Sequence, residues 1–307
     1  MQSARSRPTP SPEVTSGRDA EPPGVWQFEA IGAPWRIDTE RPLPPDVAAR
    51  ITARIDSFDA VYSRFRDDSL ITTISRQPGS YRFPPDAEAL FALYRQLYEA
   101  TDGAVTPLVG RALEHLGYDS HYSLVARGGG IPTPRWEEAI SWHSGTLTTL
   151  GPALIDIGGA GKGYLADLVA QVLRDSGVTE FTVDASGDIV QSGSAELRVG
   201  LEHPLDPSKA IGVVTLKDGS LCASAINRRA WGVGMHHIVD VTTGLPAHHV
   251  LATWAVAPTG LLADGLATAL FLADTDRLEE SFDFSWVRMF SHGRVEHSAN
   301  FEGVLFT

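Results

Sequence analysis

The sequence predicts an α+β fold, a single mixed domain of helices and antiparallel strands over residues 25–307. Helix-period and strand-period segments alternate from Val25 onward, and no linker of altered composition divides them. In the C-terminal half, strand-like runs follow one another at hairpin spacing, which favours antiparallel pairing. With 307 residues, 43% apolar and 21% charged, the chain can bury a sizeable core.

Residues 1–24 are rich in Pro, Ser, Arg and Glu and read as a disordered tail. They hold no apolar run fit for a signal peptide or a membrane span, and no lipidation cysteine, so a cytoplasmic location without membrane insertion is expected. Residues 25–37 read as a strand pair around Gly32, and 46–61 as a helix with an acidic start. Helices follow at 86–101 and 107–116, then a glycine-rich loop at 128–130. A strand–helix–strand unit is predicted from strands at 153–157 and 181–184 around a helix at 163–176, which Gly177 ends. Strands at 196–201, 211–216, 237–241 and 251–257 and a buried helix at 261–272 complete the expectation. No internal repeat is evident.

Charge narrows the partners. Lys and Arg number 25 against 38 Asp and Glu, a net −13 that opposes docking on nucleic acid or an anionic membrane and favours small ligands or a protein. Cys222 is the only cysteine, so an intramolecular disulfide and a cysteine metal cluster are both excluded. Its place between Leu221 and Ala223 makes it a core residue.

The segment richest in chemical meaning is 156–164, Asp-Ile-Gly-Gly-Ala-Gly-Lys-Gly-Tyr, with four glycines in nine residues at the start of a helical pattern. Backbone N–H groups freed of Cβ atoms, a helix N-terminus and Lys162 together suit a diphosphate. The Lys is followed by Gly163 and Tyr164 rather than Ser or Thr, so this is no Walker loop, and the glycine spacing misses the dinucleotide fingerprint. The same residues also suit a plain tight turn.

Four further groupings carry possible chemistry, each with a simpler structural reading beside it. Asp264 and Thr268 lie one turn apart on a helix face and offer oxygen ligands to a hard cation such as Mg²⁺, or equally a helix-start acid and a back-bonded Thr. His237 and Asp240 precede a turn, where an imidazole can take a proton near neutral pH, although paired surface histidines often have no task. Residues 184–188, Asp-Ala-Ser-Gly-Asp, end a strand in a turn suited to ligand groups or to a simple Asx turn. Residues 62–69 set an aromatic ring, Phe65, beside Arg64 and Arg66, a platform for a flat heterocycle or a solvated helix end.

In their order and spacing these segments resemble the ApbE family, the FAD:protein FMN transferases, from about Gly32 to Leu272. The resemblance rests on seven stretches: 63–69, 101–104 with Val109 and Gly110, 156–164, 184–188, Ser224 with Arg228 and Arg229, 237–244, and 263–271. The last, Ala-Asp-Gly-Leu-Ala-Thr-Ala-Leu-Phe, is nearly unaltered from the family pattern. The resemblance implies an ApbE-like, T-fold-like architecture. It also implies a Mg²⁺-dependent enzyme that splits FAD, releases AMP and leaves FMN as a phosphoester on a Ser or Thr of an acceptor flavoprotein. On that basis the metal falls to Asp264, Thr268 and the Gly159 carbonyl, and the proton to His237. Flavin and diphosphate contacts fall to Phe65, Val105, Thr106, Asp156 and Lys162.

Four positions depart from the family pattern. Val105 and Thr106 stand where an aromatic or Met and then Asp are usual, Gly161 stands for a common Ala and should loosen the turn, and Ile226 replaces a frequent Asp with loss of a polar contact. The metal and base positions are intact, so activity is expected. Transfer to a protein, hydrolysis of FAD to FMN and AMP, and non-catalytic flavin binding or delivery all remain open from the sequence; the joint presence of Asp264, Thr268 and His237 favours catalysis.

Overall fold

The computed structural model describes residues 23–306. All but the last two residues of the expected tail lie outside them, and Gly24, the last of these, already begins the first strand. In chain order the first elements are β1 (Gly24–Ala30), β2 (Ala33–Thr39), α1 (Pro45–Tyr62), α2 (Leu70–Arg76), β3 (Ser80–Arg82) and α3 (Ala87–Ala100). A 3₁₀ turn (Pro107–Val109) leads to α4 (Gly110–His115), α5 (Trp136–Ala139), β4 (Ile140–His143), β5 (Thr146–Thr149) and α6 (Gly161–Asp175). Next come β6 (Phe181–Asp184), β7 (Asp188–Ser192), β8 (Leu197–His203), β9 (Asp206–Leu216), β10 (Gly219–Ala225), β11 (Ala230–Trp231) and β12 (Met235–His236). The chain closes with β13 (Val250–Ala257), α7 (Gly260–Ala269), α8 (Thr275–Ser281), β14 (Ser285–Phe290), β15 (Val295–His297) and β16 (Gly303–Leu305).

An eight-stranded sheet in the order β1-β2-β6-β7-β10-β13-β14-β15 organises these elements, and every pairing recorded in it is antiparallel. This is the α+β class that the sequence predicts. Side chains alternate across the sheet with period two. Val190, Cys222 and Ala255 join the core beneath α1, α3, α6 and α7, while Ile189, Leu221 and Trp254 join a second cluster with β8, β9 and β16. The sheet is thus covered on both faces in its middle, which is why β13, Val-Leu-Ala-Thr-Trp-Ala-Val-Ala, is apolar at every position but Thr253, whose buried hydroxyl donates to the Ala267 carbonyl at 2.6 Å. Cys222 is buried there, as expected. Smaller sheets, β16-β9-β8, β3-β5-β4 and β11-β12, flank it.

Two expected strands are absent. Residues 153–157 run extended without a ladder. Ala153, Leu154 and Ile155 are apolar because they are buried, and Asp156 N–H is satisfied by the Pro107 carbonyl at 2.8 Å rather than by a strand. The strand–helix–strand unit therefore lacks its first strand. Residues 237–241 form no strand beyond the isolated Val239–Pro246 bridge. Asp240 Oδ1 accepts the N–H groups of Thr242 and Thr243 at 2.8 and 3.0 Å and folds the backbone into a turn instead. Strands β3, β4, β5, β7, β10, β11, β12, β14, β15 and β16 and helices α2, α5 and α8 were not anticipated from the sequence. Among the described residues no helix is long and apolar enough to cross a membrane.

Candidate active site

The glycine-rich segment links the buried extended stretch to α6, and its glycines serve close approach rather than unusual dihedrals, since none has positive φ. Gly158 donates its N–H to Asp156 Oδ1 at 2.7 Å, and a Cβ there would lie 2.8 Å from that same oxygen. Gly163 lets α6 cross α7: a Cβ would meet the Gly260 carbonyl oxygen at 2.2 Å. At Gly161 the space is filled by Ile157, whose Cδ1 would lie 2.6 Å from a Cβ, so the expected loosening leaves no void.

That crossing brings the oxygen ligands together. Asp264 and Thr268 sit one turn apart on α7; Asp264 Oδ2 accepts the Gly163 N–H at 2.9 Å, and Thr268 Oγ1 donates to the Gly159 carbonyl at 3.0 Å. Burial, and then the negative charge of Asp188, push the Asp264 carboxyl up to about 7, against the pull of Lys162. Lys162 itself is engaged at the β6–β7 turn, paired with Asp188 at 2.8 Å and donating to the Ala185 carbonyl at 2.6 Å. Among the described residues no three His, Cys, Asp or Glu side chains gather as a metal cluster. A cation here would rest on one carboxylate and neutral oxygens, a donor set that suits a hard ion such as Mg²⁺.

Two cavities meet in front of this turn and share Tyr118, Asp156, Gly158 and Arg229. The larger, about 370 Å³, has an aromatic wall: Phe65 stacks on Tyr122 at 5.1 Å and meets Tyr118 edge-on at 5.4 Å, while Tyr118 in turn stacks on Trp231. Arg64 lies behind it, buried, 4.2 Å from the Phe65 ring centre, paired with Asp156 and donating to the Tyr118 carbonyl at 2.7 Å. Burial alone would raise the Asp156 carboxyl, but Arg64, the Gly158 N–H and Arg229 together hold it below the usual range.

The smaller cavity, about 60 Å³, is lined by Val105, Thr106, Gly159, His237 and Thr268 among others. The two adjacent histidines have different roles. His236 is fixed in the structure, with Nε2 bonded to the Ala247 carbonyl at 2.7 Å and Nδ1 accepting the Ile238 N–H at 3.3 Å. His237 lines the cavity, and its Nδ1 is buried without a hydrogen-bond partner among the described residues. Burial, then the charges of Arg229 and His236, push its pKa down to about 3, so the ring is neutral at neutral pH and able to accept a proton.

The arrangement offers an aromatic slot, a cation-lined junction, an oxygen set and a neutral imidazole in sequence. The ApbE family pattern matches residues 31–285. The chain belongs to the ApbE family. It is 24% identical to the FAD:protein FMN transferase of Salmonella typhimurium, over 88% of this chain and 83% of that protein. It is 29% identical to the FAD:protein FMN transferase of Treponema pallidum, over 77% and 74%. The flavin transferase ApbE from Vibrio cholerae superposes with a TM-score of 0.77 at 20% identity, over 91% of this chain and 98% of that one, so the two share a fold.

On this ApbE fold, Phe65, Asp156 and Lys162 line the larger cavity and Val105, Thr106, Asp156, Gly159, His237 and Thr268 the smaller, while Asp264 stands behind the turn and lines neither. Thr106 Oγ1 accepts the Leu108 N–H and caps the 3₁₀ turn, and Val105 belongs to the core, so this departure from the family pattern builds backbone as well as cavity wall. Ile226, the other polar loss, packs against the cluster of Ile238, Val250 and Phe271. At 184–188 the simpler reading of a side-chain-closed turn fits, although Asp184 Oδ1 accepts the N–H three residues on, from Gly187 at 2.9 Å, rather than the one two residues on that defines an Asx turn, and Gly187 has the expected positive φ. Sequence reasoning overlooked Tyr118, Tyr122 and Arg229 as lining residues. The two tyrosines lie in a loop without periodicity, and only the adjacency of Arg228 and Arg229 gave any signal. Arg228 pairs outward with Glu202, whereas Arg229 turns inward to both cavities.

Proposed function

We propose that this chain is an FAD:protein FMN transferase: it moves FMN from FAD to a Ser or Thr hydroxyl of an acceptor flavoprotein and releases AMP. The observation that carries this reading is the junction of the two cavities, where Arg229 and the glycine turn stand between an aromatic slot and a neutral imidazole. The slot of Phe65, Tyr118 and Tyr122 offers flat faces for an isoalloxazine. Arg229 suits the diphosphate, which brings two negative charges.

In the transfer, the acceptor hydroxyl oxygen bonds to the FMN phosphorus, and the phosphoanhydride bond to the AMP phosphate breaks. His237 takes the hydroxyl proton, and the electron pair of the broken bond leaves on AMP. A bound diphosphate adds negative charge beside the imidazole, which raises its basicity from the low value of the free site. Asp264, Thr268 and the Gly159 carbonyl are the proposed Mg²⁺ ligands, and the carboxyl pushed up to about 7 fits a site built for a cation. When bound, Mg²⁺ supplies neutralisation of phosphoryl charge.

The test is to incubate the protein with FAD, with Mg²⁺ or EDTA, with and without an acceptor flavoprotein, and to follow AMP and acceptor mass. A gain of one FMN that needs both Mg²⁺ and acceptor supports the transferase. AMP and free FMN without acceptor make it a hydrolase, and bound FAD with neither product makes it a flavin carrier.

A further inference from the structure

The Oη of Tyr94 has no part in the chemistry described so far. Tyr94 lies on α3 with its side chain in the main core, 2% exposed, and its hydroxyl is buried with no hydrogen-bond partner among the described residues. A buried hydroxyl without a partner is destabilising, and a phenylalanine would fill the same space without that burden. The hydroxyl is not remote from the site. Tyr94 lines the smaller cavity together with Gly159, Thr268, His237 and Arg229.

The surroundings make this hydroxyl a donor in search of an acceptor. Burial, then the charges of Asp156 and Asp264, hold the phenol well above its usual range, so it stays protonated. Neither carboxylate takes its proton in a hydrogen bond. Asp156 is engaged by Arg64 and the Gly158 N–H, and Asp264 Oδ2 by the Gly163 N–H. A ligand in the smaller cavity would bring the acceptor that the described residues do not supply. A neighbour in the cavity wall specifies which kind: the Arg229 guanidinium favours an anionic oxygen.

We propose that Tyr94 Oη donates a hydrogen bond to a phosphate oxygen of the bound dinucleotide and is left unpaired in the free protein for that purpose. The proposal rests on the reading of this site as one that takes FAD. It names a substrate-binding hydroxyl on an element, α3, that carries none of the residues assigned above.

Tyr94→Phe removes one oxygen and keeps the packing. The variant and the wild type are compared in three measurements: thermal midpoint without ligand, affinity for FAD, and affinity for riboflavin, which has the flavin ring and no phosphate, both by quenching of flavin fluorescence. The expected result is an unchanged or higher thermal midpoint, FAD bound about 10-fold more weakly, the scale of a hydrogen bond to a charged group, and riboflavin bound as in the wild type. Unchanged FAD affinity overturns the proposal. So does an equal loss for FAD and riboflavin, which places the hydroxyl on the flavin ring, and so does a lowered midpoint with both affinities reduced, which makes Tyr94 a packing residue. Wild-type protein that transfers FMN while Tyr94→Phe keeps full FAD affinity overturns the Tyr94 contact alone. Wild-type protein that binds FAD and transfers nothing overturns the transferase and leaves the Tyr94 result to the two affinities, and failure of the wild type to bind FAD overturns both.

Discussion

Asp264 Oδ2 accepts the backbone N–H of Gly163 at 2.9 Å, so a buried carboxylate occupies the first turn of α6, where the helix dipole is positive. The helix start is therefore already faced by one anion before any phosphate arrives, and a second, Asp188, lies close enough to raise the Asp264 carboxyl further. Two neighbouring acids with one ammonium, Lys162, between them leave a deficit of positive charge.

That deficit sets a pH-dependent prediction. The folded Asp264 carboxyl titrates near 7, above the unfolded value of 3.8, so the folded state holds its proton more tightly and its contribution to stability is lost as pH rises from about 4 towards 7. In EDTA, Asp264→Asn is expected to raise the thermal midpoint at pH 8 and to change it little at pH 4. Added Mg²⁺ should stabilise the wild type, more at pH 8 than at pH 6, and leave the variant unmoved. Melting curves at these pH values decide it, and an equal loss of stability at pH 4 and pH 8 would count against the charge deficit.

His237 predicts the opposite sign. Its folded pKa is pushed from 6.5 to about 3, so stability is complete above about 6.5 and falls as the pH drops towards 3, because the unfolded chain takes up the proton first. His237→Gln should flatten that acid limb. It should also lower the transfer rate about 10²- to 10⁴-fold, the scale of a lost general base, with FAD affinity kept within about 2-fold. Single-turnover transfer beside FAD titration separates the two effects, and an undiminished rate would remove His237 from the proton transfer.

Gly163→Ala tests whether the helix crossing holds the oxygen set. The new Cβ would meet the Gly260 carbonyl at 2.2 Å and the Asp264 Cβ at 2.6 Å, and neither is the end of a flexible side chain. Overpacking of this kind destabilises by about 1–3 kcal/mol. The Mg²⁺-linked rise in thermal midpoint should shrink along with overall stability, since α7 moves away with its ligands. A stable variant with an intact Mg²⁺ effect would show that α6 and α7 need not approach so closely.

The regular elements were legible because their periodicity reports burial. Helices α1, α3, α6 and α7 appear within a few residues of their expected limits, since α1, α3 and α6 each bury one stripe in the main core and α7 is buried almost all round. Where burial and periodicity part, the sequence misleads. Ala153, Leu154 and Ile155 are strand-like in composition yet are covered by side chains without joining a ladder. At the candidate site, Asp264 with Thr268 was legible from helix spacing and His237 from its place before a turn, while Gly159 entered only through the family resemblance. The aromatic wall was half legible, because Phe65 sits next to the end of α1 whereas Tyr118 and Tyr122 come from an irregular loop whose path is set by Asp119: its Oδ1 accepts the His121 and Ser123 N–H groups at 3.0 Å. No spacing rule in the sequence marks that loop as a wall.

The pairing of Arg64 with Asp156 supplies the last prediction. Arg64 is 5% exposed and is the shared support of the aromatic slot and the turn, since it binds Asp156, the Tyr118 carbonyl and the Phe65 face at once. Arg64→Ala leaves a buried carboxylate without its cation, which is expected to destabilise by about 3–5 kcal/mol at neutral pH. Asp156 is held below its unfolded value of 3.8, so its favourable contribution is present above about 4 and is lost as the pH falls through the folded value. The gap between wild type and Arg64→Ala should therefore narrow in acid. Adding Asp156→Asn to Arg64→Ala should restore part of the lost stability, because the orphaned charge is gone, yet leave flavin affinity low, because Tyr118 and Phe65 remain unsupported. Denaturant titrations of the two single variants and the double variant, each with an FAD titration, measure the coupling. Additive losses in stability would mean that Arg64 acts through packing alone.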